Sequence, residues 1–270
     1  MRYLFWNTNN KEVDNIIYDI VEEYEPTILA FAEYNKEINY LARNINIRTS
    51  QRYVAIQKLA CRVQILINEK LANEVEHCAD HNNYTIKILP YNSFHDNHIV
   101  VFVHLPSKIK DNREKNRHLL EQITLQVNKL DNNKNRKVVI FGDFNLNPYE
   151  EAMTYFTGCN AVSTKNVANK ISRKDRNEKG KQYFYYYNPM WNFLGDNNDV
   201  NGTFYYDKTS DHSRYWNTFD QFVVSPKLME DIKEIKVVKS VGNINLADKN
   251  GIPNRNISDH YPLYFRLGGK

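Results

Sequence analysis

Glycine and proline are scarce in this chain of 270 residues, nine and eight respectively, which excludes a long flexible or proline-rich linker. Only three cysteines occur, Cys61, Cys78 and Cys159. Their odd number and wide spacing exclude a disulfide framework and a zinc cage, and they read as buried thiols. No apolar run is long enough to span a bilayer. No apolar stretch of the kind found in signal peptides follows Met1-Arg2-Tyr3-Leu4-Phe5-Trp6, so the cytosol is the expected compartment. The excess of one charge is small: 36 basic against 32 acidic residues, a net charge of +4. That permits a polyanionic partner without requiring one.

The composition that remains, 41 % hydrophobic and 25 % charged, belongs to the ordinary soluble globular class. Residues 3–6 read as a strand. Val13, Ile16, Ile17, Ile20 and Val21 recur at helical spacing over 11–24, and Pro26 closes that helix. Residues 27–32 form a short apolar run, a second buried strand ending at Glu33, so the chain opens with a βαβ unit. Further strands are predicted over 62–67, 84–89, 99–105, 138–141, 219–224, 235–241 and 261–267. A helix is predicted over 111–130, with Leu119, Ile123, Val127 and Leu130 on one stripe. Asn147-Pro148, followed by Glu150 and Glu151, reads as an N-cap with proline at the first helical position. Strands and helices alternate with no compositional boundary. The expectation is one α/β domain over 1–270, carrying an irregular basic and aromatic insertion at about 160–215.

Polar residues that can hold a hard cation or move a proton stand at or near the ends of these strands. They are Asn7, Glu33, His104, Asp143 with Asn145, Asp220, and Asp259-His260. Hydrolysis of a phosphate ester needs such a set. A cation must offset charge on the phosphoryl oxygens, a water must be deprotonated and aimed, and donors must meet the developing charge. Mg²⁺ takes oxygen ligands and retains several waters, so one or two carboxylates suffice. Strand ends in an α/β domain converge on one edge of the sheet, where ligands bind.

Trp6-Asn7, Ala32-Glu33, Gly142-Asp143-Phe144-Asn145, Phe219-Asp220-Gln221 and Ser258-Asp259-His260-Tyr261-Pro262-Leu263 occur in an order and spacing that resembles the endonuclease/exonuclease/phosphatase superfamily. The resemblance runs from Asn7 to His260, and its strength lies in the five motifs together. It implies a deoxyribonuclease I-like α/β fold, a four-layer sandwich of two mixed β-sheets flanked by helices. It also implies Mg²⁺ or Mn²⁺, bound by Glu33 with Asn7 and Asp259 nearby. Asp143 would orient or deprotonate the attacking water, and Asn145 would hold a phosphate oxygen or that water. His260 would act on the scissile phosphate as base or charge stabiliser. Asp220 would fix its tautomer and raise its pKa. His104 stands where the apurinic endonuclease branch carries a tyrosine. It resembles the deoxyribonuclease I, sphingomyelinase and inositol-phosphatase branches, and could protonate the leaving oxygen.

Each residue also has an ordinary structural reading. Asn7 alone fits a turn, Glu33 a solvated helix start, Asp143 and Asn145 a strand-to-helix turn, and His104 a core histidine bonded to backbone. His95 and His98 lack support from the motif series and read as structural. Asp220 in an apolar strand needs a partner, and His260 is the candidate. The basic residues Lys165, Lys170, Arg173, Lys174, Arg176, Lys179 and Lys181 form either a solvated loop or a phosphate-tracking arm. Lys108, Lys110, Arg113, Lys115 and Arg117 read as a surface cluster. The aromatic run 183–187, with Trp191 and Phe193, reads mainly as a strand packed on both faces, with base stacking as the alternative.

Three functions stay open on this reading: a nuclease acting on DNA or RNA; a phosphatase or phosphodiesterase acting on a nucleotide, inositol phosphate or lipid head group; and a catalytically dead binding module. Neither the substrate, nor one metal against two, nor the oligomeric state is legible. A second tripeptide, Ser210-Asp211-His212, lacks the Pro-Leu and strand that follow His260. His260→Ala is therefore expected to abolish phosphodiester hydrolysis, whereas His212→Ala leaves it largely intact. A rate assay on the two variants checks this, and the reverse outcome would reject the choice of tripeptide.

Overall fold

The computed structural model describes residues 1–57, 59–93, 96–107, 113–131, 137–171, 176–178, 181–183, 185–196, 199–207 and 215–268. The second tripeptide, His95, Lys108, Lys110, Arg173, Lys174 and Lys179 lie outside them.

Two mixed sheets form the body. The first has six strands in the order β16-β19-β1-β2-β4-β3. In chain order these are β1 (Arg2–Asn7), β2 (Ile28–Ala32), β3 (Tyr53–Ile56), β4 (Gln64–Asn68), β16 (Ile232–Val237) and β19 (Leu263–Leu267). The second has seven, in the order β5-β6-β7-β8-β15-β12-β9. They are β5 (Glu76–His81), β6 (Tyr84–Ser93), β7 (Asp96–His104), β8 (Val138–Asp143), β9 (Ala161–Val162), β12 (Tyr186–Tyr187) and β15 (Asp220–Val224). Among the described residues three two-stranded sheets complete the strands: β10 (Arg176–Glu178) with β11 (Lys181–Tyr183), β13 (Phe204–Tyr206) with β14 (Tyr215–Asn217), and β17 (Ser240–Val241) with β18 (Ile244–Asn245).

The helices are α1 (Asp14–Tyr24), α2 (Ile38–Arg48), α3 (Arg113–Leu130), α4 (Glu151–Thr154) and α5 (Lys165–Ile171). Strands β1 and β2 are parallel, as are β7 and β8, so each pair needs a crossover, and α1 and α3 supply it. Alternation along β1 turns Tyr3 inward, where its ring stacks on Phe265 at 4.5 Å and meets Phe141 of the second sheet edge-on at 5.6 Å. Phe222 stacks on Phe265 at 4.1 Å, so aromatic rings join the sheets face to face. The outer face of the second sheet is covered by Leu119, Leu120, Ile123 and Val127 of α3, packed with Val101, Val103 and Ile140. The expected four-layer sandwich of two mixed sheets between helices is the observed architecture.

Several local expectations change. Strands β3 and β5 lie outside the predicted strands: Tyr53-Val54-Ala55-Ile56 is an apolar run of only four residues, and Glu76–His81 is mostly polar with no apolar alternation. The region around Asn147-Pro148 is a turn, and the helix begins at Glu151. Asn147 does not cap: its Nδ2 donates to Asn217 Oδ1 at 2.9 Å, and its Oδ1 accepts from the Thr218 amide at 2.9 Å. Within 160–215, β9 and β12 extend the second sheet. Tyr186 and Tyr187 of β12 are buried on opposite faces, which is the strand reading of the aromatic run. Cys61 and Cys159 are buried as expected, but Cys78 is only half-buried.

His98 is structural, as read from the sequence. Its Nδ1 faces the Leu89 carbonyl at 3.0 Å, so that nitrogen carries the proton, and its Nε2 accepts from the Tyr3 hydroxyl at 2.5 Å. Burial holds this imidazole down to about 3, so it is neutral in the fold. The unfolded chain takes up a proton near pH 6.5, and the native chain does so only near 3. Stability from this group is therefore complete above pH 6.5 and is lost as pH falls towards 3, by up to about 1.4 kcal/mol per pH unit. Urea unfolding of His98→Gln against the native chain is expected to show a stability gap that narrows as pH falls from 6.5. A gap independent of pH would reject this account.

Candidate active site

Strand register builds the site. His104 of β7 pairs with Asp143 of β8, and Asp143 pairs with Asp220 of β15, so the three stand in one row across adjacent strands. In the first sheet Asn7 ends β1 opposite Ala32, and Glu33 follows with a left-handed backbone, φ 50°. The sheets meet here because Asn7 Nδ2 donates to Asp143 Oδ2 at 3.0 Å and to Glu33 Oε1 at 3.3 Å. Gly142 permits this crossing. Its φ is 142°, and a Cβ there would lie 2.0 Å from the Val103 carbonyl oxygen, which no side chain can occupy.

Asp143 is fully buried. Its Oδ1 accepts from the Asn145 amide at 2.8 Å, and its Oδ2 accepts from Asn145 Nδ2 at 3.2 Å. Asn145 Nδ2 also donates to the Leu105 carbonyl at 2.9 Å, so both its amide hydrogens are held within the protein and only Oδ1 is left to accept. His104 Nε2 lies 3.6 Å from Glu33 Oε1 and 3.9 Å from Asp143 Oδ2, within ion-pair range if protonated. Both backbone groups of His104 are clamped by Asn83, whose Nδ2 donates to the His104 carbonyl at 2.8 Å and whose carbonyl accepts the His104 amide at 2.8 Å.

His260 Nδ1 lies 2.7 Å from Asp220 Oδ2, with both groups buried. Burial alone would lower this imidazole, but the charge and hydrogen bond of Asp220, with Asp143 and Asp259 behind, lift it to about 10. The Asp143 carboxyl is raised, first by burial and then by Asp220. His260, His104 and the Asn145 amide oppose that rise. The 258–260 segment is tied to β1: Ser258 Oγ donates to the Asn7 carbonyl at 2.8 Å and accepts the His260 amide at 3.1 Å. Trp6 Nε1 donates to the His260 carbonyl at 3.0 Å. Asp259 is half-buried and makes no hydrogen bond among the described residues.

Seven of the eight polar residues singled out in the sequence thus form one continuous cluster at a common edge of the two sheets, and the eighth, Asp259, adjoins it through the chain at His260 and acts on that imidazole through its charge. Others were not anticipated. The Thr203 hydroxyl accepts the Asp220 amide at 3.0 Å, and the Phe204 ring lies 4.6 Å from the His260 ring. Asn10 Nδ2 reaches Glu33 Oε2 at 3.3 Å. Thr203 and Phe204 fall in the segment read as irregular, where no periodic signal marks them. Ser258 stood inside a motif, but its hydroxyl had no assigned partner.

Two placements for a cation compete. Asp143, Asp220 and His260 each offer an atom within 4.8 Å of the others. There, however, His260 Nδ1 is already bonded to Asp220, and an imidazole is a poor partner for a hard ion. Glu33 is more accessible, its side chain 36 % exposed, and its carboxylate oxygens suit Mg²⁺ or Mn²⁺, although the groups that approach them here are nitrogens, Asn7 Nδ2, Asn10 Nδ2 and His104 Nε2. In the observed arrangement Asn7 turns its Nδ2, not its oxygen, towards Glu33, so coordination by Asn7 requires its amide to turn over. Buried atoms also remain without a hydrogen-bond partner among the described residues, namely His104 Nδ1 and Asp220 Oδ1, as is common where a ligand or water binds.

No family profile and no curated protein matches this sequence. Solved structures do. D. rerio TDP2 complexed with single strand DNA product aligns with a TM-score of 0.60 at 12 % identity, over 100 % of this chain and 99 % of that one. An endonuclease/exonuclease/phosphatase family protein from Bacteroides thetaiotaomicron aligns at 0.59 and 13 %, over 99 % and 97 %. The endonuclease domain of TRAS1, a telomere-specific non-LTR retrotransposon, aligns at 0.52 and 12 %, over 98 % and 97 %. At such low identity the likeness establishes the fold: the chain has the deoxyribonuclease I-like sandwich.

The His260–Asp220 pair carries a clear expectation. Because its pKa is raised, His260 contributes stability that is complete below pH 6.5 and is lost as pH climbs through about 10. NMR titration of the ring is expected to show an imidazolium up to pH 8–9 in the native chain, and a pKa lower by roughly 2 units or more in Asp220→Asn. An unchanged titration in that variant would reject the pairing.

Proposed function

We propose that this fold carries a divalent-metal-dependent phosphodiester hydrolase whose substrate is DNA or RNA. The observation that carries the reading is the convergence, at one sheet edge, of an accessible carboxylate at Glu33, a buried carboxyl of raised pKa at Asp143, and an imidazolium held by Asp220 at His260. The nearby folds support it in part through what they act on: one TDP2 structure contains a single strand DNA product, and TRAS1 contributes an endonuclease domain.

Glu33, with Asn7 and Asp259, would hold Mg²⁺ or Mn²⁺, and when bound the ion would offset charge on the phosphate oxygens. Asp143 is the general base. Its pKa is raised towards the operating range, which favours proton uptake from a water, and the free Oδ1 of Asn145 can accept from that water. That water role suits Asn145 better than contact with a phosphate oxygen, since its hydrogens are already engaged. His260, protonated up to about pH 10, is unsuited to be a base at neutral pH. It stabilises negative charge on the phosphate, and Asp220 keeps it oriented and charged. His104, when protonated, donates to the leaving oxygen from a ring held beside Glu33 and Asp143.

The test is a panel of DNA, RNA, nucleotide, inositol phosphate and chromogenic diester substrates, with and without EDTA. Hydrolysis of an oligonucleotide is expected, abolished by EDTA and restored by Mg²⁺ or Mn²⁺. Asp143→Asn is expected to lower kcat about 100- to 10 000-fold. Oligonucleotide binding should weaken steeply as salt rises. Hydrolysis confined to the small phosphate esters would favour the phosphatase alternative, and no EDTA-sensitive hydrolysis of any substrate would reject both.

A further inference from the structure

A cleft of about 690 Å³ opens beside Glu33, on the side away from His260. Its position follows from register. Gln64 begins β4 opposite Phe31 of β2, two residues before Glu33, and Ile56 ends β3 opposite Ile65. The cleft therefore lies at the same end of the first sheet as Asn7 and Glu33, displaced sideways by two to three strands. At about 4.8 Å per strand that is roughly 10–14 Å from Asn7. This is too far for groups bonded to the scissile phosphorus and within reach of a flanking nucleotide.

The lining excludes two kinds of occupant. It does not suit a phosphate. Its ammonium, Lys36 Nζ, is held by Asp14 Oδ2 at 3.1 Å with Glu12 at 3.9 Å, and the other charged residue of the lining, Glu37, has the wrong sign. It does not suit an added β-strand either. β3 has only four residues, and at its Tyr53 end the outer edge is already taken by α2, where the Asn46 side chain exchanges two hydrogen bonds with the Tyr53 backbone, at 2.7 and 2.9 Å.

What remains is a wall of carboxamides over an apolar floor. Asn35 and Gln64 are anchored through their Nδ2 and Nε2, to the Asn10 carbonyl at 2.8 Å and the Tyr34 carbonyl at 2.7 Å, so they present oxygens. Asn39 and Gln57 make no side-chain hydrogen bond among the described residues and offer both donor and acceptor. Ile38 and Ile56 supply the floor. Paired donors and acceptors on planar amides match the edge of a nucleobase, and the isoleucines match its face.

We infer that this cleft is a nucleobase-binding subsite, in which Gln57 and Asn39 engage the edge of a base in a nucleotide flanking the scissile phosphate. Its place along a substrate rests on the nuclease reading; its preference for a base does not. Two measurements separate them. In the first, the native chain is titrated with uncharged nucleosides while the side-chain amide signals of Gln57 and Asn39, assigned with Gln57→Ala and Asn39→Ala, are followed by NMR. Shifts confined to the cleft are expected even if no phosphodiester is ever cleaved. No shift with nucleosides, or a shift produced instead by a blocked neutral peptide or by inositol, overturns the inference.

The second uses the active enzyme. The double variant Asn39→Ala/Gln57→Ala is expected to raise KM for an oligonucleotide about tenfold. It should leave kcat/KM on bis(p-nitrophenyl) phosphate, which has no base, unchanged. Replacing one base at a time by an abasic spacer should reveal one position at which native and variant enzymes become equal. Equal losses on both substrates, or no base-sensitive position, overturn the inference while leaving the hydrolase reading intact.

Discussion

The site depends on one constraint: the register that sets His104, Asp143 and Asp220 side by side across β7, β8 and β15. Side chains alternate along a strand, so a slip of one residue in either pairing would send a member of the row to the opposite face. The apolar residues of the same strands hold that register, because Val101 and Ile140 must face α3 while Phe102 and Phe141 face the first sheet. Gly142 lets β8 pass against Val103 just before the row, and the Asn7 amide bonds the row to the first sheet. Core packing and site geometry are therefore the same set of pairings.

Burying two carboxyl groups and an imidazole together is unfavourable unless charge is paired. The structure resolves this unequally. Asp220 is paired directly with His260, which stays protonated, while Asp143 is supported by amides and remains near a second carboxylate, which holds its proton more tightly. The row is thus divided: burial raises the Asp143 carboxyl, and the charge and hydrogen bond of Asp220 raise the His260 imidazole. Such a division is a frequent mark of acid–base chemistry, and it persists only because the surrounding sheets supply stability that the row lacks.

Along the shared edge the features fall in a line. Phe204 lies against His260, followed by Asp220 and Asp143, then Asn7 and Glu33, then the carboxamide cleft at Asn39 and Gln57. The order is that of the strands: β15 and β8 in one sheet, β1, β2, β4 and β3 in the other. An extended ligand would cross both sheets, which is why residues from almost the whole length of the chain take part.

Much of this was legible in the sequence, and the reasons differ by residue. The α1 stripe and the apolar runs of β1, β2, β7 and β8 carry their periodicity locally, so the βαβ opening and the central strands could be read directly. Asp220 could be singled out because a charge in an apolar strand demands a partner. Asn147 misled, because a sequence that fits an N-cap also fits a cross-link to Asn217 and Thr218, and only packing chooses between them. Thr203, Phe204 and Asn83 carry no pattern of their own. Their roles come from neighbours 17 to 56 positions away in the chain. The amino-acid sequence by itself determined which residues are apolar at which period, and hence the layers and the strand ends at which polar groups stand. Only the tertiary structure decided which polar groups meet and which way each amide turns. It alone also set how far burial and charge shift each proton, because hydrogen bonds and desolvation depend on distances that local sequence does not encode.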